Sequence, residues 1–192
     1  MYNFFKRIID LALSLGALII FSPLFLILCL LIKMDSKGPV FFKQKRAGEN
    51  ESYFMIYKFR TMRTDTPNVS TDKLGDPSIY ITKVGRFLRK TSLDELPQLL
   101  NIINGDMTIV GPRPALYNQY ELIAARKKAG VHVLKPGLTG YAQVKGRDLI
   151  SDEEKVAYDH HYLENFSFLF DIKIIWLTAI SVVKSEGVRM NG

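Results

Sequence analysis

The 192-residue chain has a single cysteine, Cys29, and it lies inside an apolar run. An intrachain disulfide is therefore excluded, and nothing signals thiol catalysis. Histidine is also scarce, at three residues. His160 and His161 are adjacent, which on a helix sets them about 100° apart, so they cannot clasp a zinc ion as an i, i+4 pair would. Acidic residues are outnumbered by basic ones, 19 to 26, leaving a formal net charge of +7. That balance points to anionic partners: nucleic acid, phospholipid headgroups or phosphorylated metabolites. Internal repeats and low-complexity tracts are absent. With 47% hydrophobic residues, the chain is not disordered and suffices for one globular unit with an attached segment.

That segment is Ile8 to Ile32, nearly continuous apolar sequence interrupted by Asp10, Ser14, Gly16 and the pair Ser22-Pro23. Uninterrupted, it would reach about 37 Å, enough to cross a hydrocarbon core of about 30 Å. Pro23 divides it into pieces of about 21 and 13 Å, neither of which crosses alone. Lys6 and Arg7 precede the segment, and Lys33, Lys37, Lys43, Lys45 and Arg46 follow it. Basic residues mark the cytoplasmic side, and both flanks carry them. A helix that enters, turns at Ser22-Pro23 and leaves by the same face satisfies both. A kinked single-pass anchor is the alternative, whereas a cleaved signal peptide lacks its small-residue cleavage site.

Gly38 to Gly48 and Tyr53 to Met62 have the pattern of two short strands around a polar turn. Residues 33 to 63 contain eight Lys or Arg and three Asp or Glu, an excess suited to anionic headgroups. Lys58 and Arg60 alternate with Tyr57, Phe59 and Thr61, which sets both on one strand face as a phosphate-holding pair or a solvated edge. Residues 64 to 78 have loop composition. Tyr117 to Ala129 has helical periodicity, and residues 166 to 184, apolar but carrying Asp171, Lys173 and Lys184, suit an amphipathic helix on a bilayer or on the core.

The residues richest in chemistry are Thr91-Ser92-Leu93-Asp94-Glu95-Leu96-Pro97-Gln98, directly after Lys83, Arg86, Arg89 and Lys90. A carboxylate can attack phosphorus to form an acyl phosphate, and a neighbouring carboxylate can hold a divalent cation or a proton. The cations would neutralise the phosphate that otherwise repels such a nucleophile. Pro97 is tolerated only in a first turn, so the expected helix begins near Leu93 or Asp94 and runs through Leu100 and Ile103. The competing use is structural: Ser92 and Glu95 have capping-box spacing, and Asp94 is a good N-cap. Downstream, Gly111-Pro112-Arg113-Pro114 offers a guanidinium on a stiff backbone. Lys135 to Arg147, rich in glycine and basic residues, could approach an anion closely.

In this order, Lys6-Arg7, Ser22-Pro23, Lys58-Phe59-Arg60-Thr61-Met62, Leu93-Asp94-Glu95-Leu96-Pro97-Gln98, Gly111-Pro112-Arg113-Pro114 and Lys135-Pro136-Gly137-Leu138-Thr139-Gly140 resemble the bacterial sugar transferase family, the monotopic phosphoglycosyl transferases. The resemblance implies transfer of a phosphosugar from a UDP-sugar to polyprenol phosphate, with release of UMP. It implies Asp94 as nucleophile and Glu95 as the residue associated with Mg2+. By position and charge, Lys58, Arg60, Arg86, Arg89, Arg113 and Arg147 are candidates for the phosphates and nucleotide, with Asp159 a further site carboxylate. The expected fold is α+β and mostly helical, with a reentrant membrane helix over 1–34 and a catalytic domain over 35–192. That domain combines amphipathic surface helices with a small β-hairpin or sheet. The implied setting is the cytosolic face of a bacterial inner membrane. Longer relatives add N-terminal transmembrane helices, so this chain is expected to be a minimal catalytic unit. Nucleic acid is not an expected partner, and self-association is left open. A catalytically silent basic module on the membrane is the rival function, but two carboxylates amid its cations would weaken anion binding.

Overall fold

In the computed structural model, residues 2–67, 76–146 and 149–184 are described. The apolar N-terminus forms two helices, α1 (Tyr2–Ile20) and α2 (Ser22–Asp35), bent by 63° at the break. Pro23 has no N–H to give the Ile19 carbonyl four residues earlier, and the Ser22 hydroxyl donates to that carbonyl instead, at 2.8 Å. No single described helix is long and apolar enough to cross a membrane; the bent pair is, taken together.

The packing of α1 is inverted relative to a helix in water. Lys6, Asp10 and Ser14, spaced by four, are buried, while Phe4, Ile8, Leu13, Ile19 and Ile20 are exposed, the last two by 74% and 73%. Lys6 pairs with Asp171, Asp10 accepts from the Thr108 hydroxyl, and Arg7 donates to the Ile102 and Ile103 carbonyls. The basic residues before the apolar segment are thus bound into the protein body as well as flanking it.

The two expected strands are β1 (Phe41–Ala47) and β2 (Tyr53–Phe59), an antiparallel hairpin in register from Phe41–Phe59 to Ala47–Tyr53. Helix α3 (Lys83–Thr91) begins at Thr82, whose hydroxyl accepts from the Gly85 N–H. Gly85 lies so near the strand end that a Cβ there would come within 2.0 Å of the Thr61 carbonyl oxygen. After α4 (Gln98–Asn104) comes β3 (Thr108–Val110), then α5 (Tyr120–Lys128) and β4 (Gly137–Thr139), which pairs parallel to β3. The chain continues with α6 (Tyr141–Lys145), α7 (Asp152–Glu164), started by a Ser151–Glu154 capping box, and α8 (Phe168–Lys184). The mostly helical α+β architecture agrees with expectation, and the three-residue parallel pair adds to it.

Three apolar clusters hold these elements. Leu28 and Ile32 of α2 meet Phe59 and Leu88; Ile56 meets Leu99, Ile102 and Met107; Val110 meets Tyr162 and Ile174. Asn101 joins α4 to the hairpin edge: its Oδ1 accepts from the Tyr57 N–H at 2.9 Å, and its Nδ2 donates to the Met55 carbonyl at 2.8 Å. One buried amide so satisfies a donor and an acceptor of a strand edge that, among the described residues, has no further strand beside it. Helix α8 repeats the inversion of α1. Asp171 and Ile174 face inward, while Leu169 and Trp176 are 79% and 68% exposed.

Candidate active site

The helix expected from Leu93 onward is divided. Ser92 takes the left-handed conformation, φ 57°, and ends α3; Leu93–Glu95 form a single 3-10 turn, and α4 starts only after Pro97. The capping alternative fails, because the Ser92 side chain makes no cap bond and Asp94 does not occupy an N-cap. Leu93 and Leu96 pack into the core beside Phe59 and Leu88. Anchoring the turn through its two leucines leaves Asp94 and Glu95 together on its other side, 9% and 7% exposed.

Lys58, on the strand face that also carries core Ile56, reaches Glu95 Oε1 at 2.6 Å and Asp94 Oδ2 at 3.8 Å. Arg113 donates to the same Glu95 oxygen at 3.0 Å. Arg89 donates through Nε to the Thr61 hydroxyl at 3.1 Å, and its charge is felt at Asp94. Burial pushes the Asp94 carboxyl above the ordinary carboxylate range; Lys58, Arg89 and Arg113 pull it back, and Glu95 pushes with burial. Gln98, one helical turn beyond Asp94, is buried with its side-chain nitrogen unpartnered among the described residues.

Other candidates are placed differently. Arg60 is turned to the end of α2, where it donates to the Lys37 carbonyl at 2.9 Å and to the Ser36 carbonyl and hydroxyl at 2.6 and 2.9 Å. The strand ends at Phe59, so the alternation that aligned Arg60 with Lys58 has already stopped. Arg86 lies on the exposed face of α3 with Lys83, Phe87 and Lys90. Asp159 is 1% exposed, and its Oδ2 accepts from Arg126 Nε and Nη2 at 2.9 and 2.6 Å. The expected further site carboxylate thus stands in a buried ion pair with Arg126, which in turn donates to the Arg113 carbonyl. Burial raises the Asp159 carboxyl, with Arg126 pulling it down. Arg147 lies outside the described residues.

Two glycines of the 135–147 segment, Gly137 and Gly140, are in close backbone contact with Gly111. A Cβ on Gly137 would lie 2.1 Å from the Gly111 nitrogen, and one on Gly140 would lie 2.1 Å from the Gly111 oxygen. Their smallness lets β4 press against the loop that carries Arg113.

Two arginines at this site escaped the sequence reading. Arg46 donates to the Pro114 carbonyl at 3.0 Å and to Gln44 Oε1 at 2.8 Å. Its pKa falls to about 10 through burial and the repulsion of Arg113, offset by Glu95. Arg126 had no local signal, sitting in an ordinary helical segment. In all, Lys58, Arg89, Arg113 and Arg46 surround two carboxylates, a net positive cluster fitted to a phosphate-bearing anion.

A buried carboxylate pair, approached by cations from a hairpin, a helix and a Pro-Arg-Pro loop, has the chemistry that group transfer on phosphorylated substrates requires. The chain belongs to the bacterial sugar transferase family, whose model matches residues 1–185. It is 44% identical to a Bacillus subtilis protein named uncharacterized sugar transferase EpsL, over 96% of this chain and 90% of that protein. It is 41% identical to the exopolysaccharide production protein ExoY of Rhizobium meliloti, over 95% and 87%. It is 38% identical to the UDP-glucose:undecaprenyl-phosphate glucose-1-phosphate transferase of Caulobacter vibrioides, over 94% and 70%.

Proposed function

We propose that this protein transfers a phosphosugar from a UDP-sugar to undecaprenyl phosphate, releasing UMP, and so begins assembly of a lipid-linked glycan. The observation that carries the proposal is the Asp94–Glu95 pair, buried together inside a cluster with surplus positive charge. In the first step an Asp94 carboxylate oxygen attacks the β-phosphorus. The bond from that phosphorus to the bridging oxygen breaks, and UMP leaves with the electron pair. Lys58, Arg89 and Arg113 offset the charge that gathers on the phosphates. In the second step a phosphate oxygen of the lipid attacks the same phosphorus, and the Asp94 carboxylate is released. Two steps spare the enzyme from holding a soluble nucleotide and a long lipid together.

Mg2+ suits this donor set. No cluster of three or more His, Cys, Asp or Glu occurs among the described residues, but Mg2+ is commonly held by one or two carboxylates with substrate phosphates and water completing its shell. Glu95, with Asp94 beside it, would hold the ion. Bound there, it supplies further neutralisation of the diphosphate.

The 63° bend, the hydroxyl that replaces the missing proline donor and the outward apolar faces of α1, α2 and α8 support a reentrant helix. The basic residues on both of its flanks, Lys6 and Arg7 before and Lys33 and Lys37 after, support a catalytic domain on the cytosolic face of the inner membrane. Two experiments test the function and its setting. With UDP-glucose, UDP-galactose and UDP-N-acetylgalactosamine as donors, steady-state UMP release should require undecaprenyl phosphate; release of equal rate without the lipid would overturn the acceptor. For topology, a Cys at Asn3 in a Cys29→Ser background should resist a membrane-impermeant thiol reagent on intact cells. It should become labelled once Ser22 and Pro23 are both replaced by Leu, whereas labelling of the parent would mean an ordinary single-pass anchor.

A further inference from the structure

Taking Arg113 as a ligand of the donor phosphates, as in the function proposed above, we propose that Arg126, oriented by Asp159, is a positioning residue. It fixes the backbone that carries Arg113 and thereby governs the donor half-reaction without touching the donor.

Arg113 stands between two prolines, neither of which has an N–H, so this loop is held largely through its carbonyls. Three successive carbonyls are each taken by a donor from a different part of the fold. Pro112 accepts from the Gly137 N–H at 2.9 Å, Arg113 from Arg126 Nη1 at 2.8 Å, and Pro114 from Arg46 Nη1 at 3.0 Å. The middle donor is oriented by a buried carboxylate, the last by the Gln44 amide oxygen. Arg126 commits Nε and Nη2 to one oxygen of Asp159, and because guanidinium is planar that commitment fixes the direction of Nη1. The pair is buried between α5 and α7, where an apolar pair would serve stability about as well. What an apolar pair cannot supply is a directed N–H for the carbonyl of Arg113.

In a two-step mechanism, kcat/KM for each substrate reports only its own half-reaction, and this separates positioning from general damage. Arg126→Lys keeps a cation opposite Asp159 but lacks the rigid fork. A second variant, Arg126→Met with Asp159→Leu, removes both charges together and keeps the test open should the lysine variant fold poorly by thermal melting. The donor is whichever of UDP-glucose, UDP-galactose and UDP-N-acetylgalactosamine turns over fastest, and the acceptor is undecaprenyl phosphate.

We expect kcat/KM for the donor to fall at least about tenfold in either variant, since displacements near 1 Å in a site cost up to about a hundredfold. Under the same conditions kcat/KM for undecaprenyl phosphate should stay within about twofold. In an Arg113→Ala background, Arg126→Lys should produce no further fall, because the side chain it positions is gone. Equal losses for both substrates, or losses that multiply in the Arg113→Ala background, would reduce Arg126 to a structural role and overturn the proposal. So would parent-like donor kinetics in both Arg126 variants while Arg113→Ala is impaired. Parent-like kinetics of Arg113→Ala itself would instead remove Arg113 as a phosphate ligand, and with it the function of the relay.

Discussion

Two groups of buried charge in this molecule are built on opposite plans. Beneath α1, Lys6 meets Asp171, Asp171 also accepts from the Tyr2 and Tyr162 hydroxyls at 2.6 Å each, and Asp10 accepts from Thr108. Those carboxylates are filled within the protein, by one ion pair and by hydroxyl donors, as a structural anchor requires. Around Asp94 and Glu95 the balance is the reverse: cations from β1, β2, α3 and the Arg113 loop outnumber the two carboxylates. A closed network holds elements together, whereas an unbalanced one retains electrostatic capacity for a substrate. The contrast separates an anchor from a candidate active site more clearly than burial, which both groups share.

The difference predicts opposite responses to substitution. Asp94→Asn should lower turnover by at least about a thousandfold, because an amide cannot form the acyl phosphate, with the melting temperature nearly unchanged. Near-parent UMP release by the purified variant would remove Asp94 as nucleophile. Glu95→Gln should impair activity too, together with its response to Mg2+.

Asp171→Ala should do the reverse. It strands a buried Lys6 at a cost of about 3–5 kcal/mol, read as a clear drop in the thermal midpoint in detergent, while turnover per folded enzyme stays within about threefold. An unchanged midpoint would show that the anchor is not structural, and the comparison would fail on that side.

Arg113→Lys keeps charge in the unbalanced cluster but replaces a planar fork with a point ammonium, so kcat/KM for the donor should fall about ten- to a hundredfold. Equal kinetics across donor concentrations would mean that net charge alone matters there.

The smallest effect is on pH dependence. Burial raises Asp94 above its ordinary 3.8, and the nucleophile must be ionised, so the acid limb of donor kcat/KM should lie above that value. The stability contribution has the opposite sign. A raised carboxyl favours the folded state below the unfolded pKa and loses that contribution as pH rises through the folded one, so activity grows where this stability term fades. Lys58→Met removes the largest opposing pull and should move the limb higher. A limb at or below 3.8, or one that Lys58→Met leaves in place, would contradict the assigned environment.

Local residue pattern made much of this legible. The hairpin follows from alternation around a polar turn, the break in the apolar segment from Ser22-Pro23, and the candidate nucleophile from adjacent carboxylates after a basic cluster. Each is a property of neighbours in the chain, which steric and hydrogen-bonding rules govern directly. Which arginines serve the site was decided elsewhere. Arg60 appeared aligned with Lys58 yet turns to the carbonyls ending α2, while Asp159 pairs with an arginine 33 residues away. Arg46 and Arg126 gained their places only when β1 and α5 met the Pro-Arg-Pro loop. The sequence by itself determined where the chain bends, where it is apolar and which two carboxylates lie together. Tertiary structure alone decided which charges face one another, because long, flexible cationic side chains take the nearest unsatisfied acceptor that packing brings within reach.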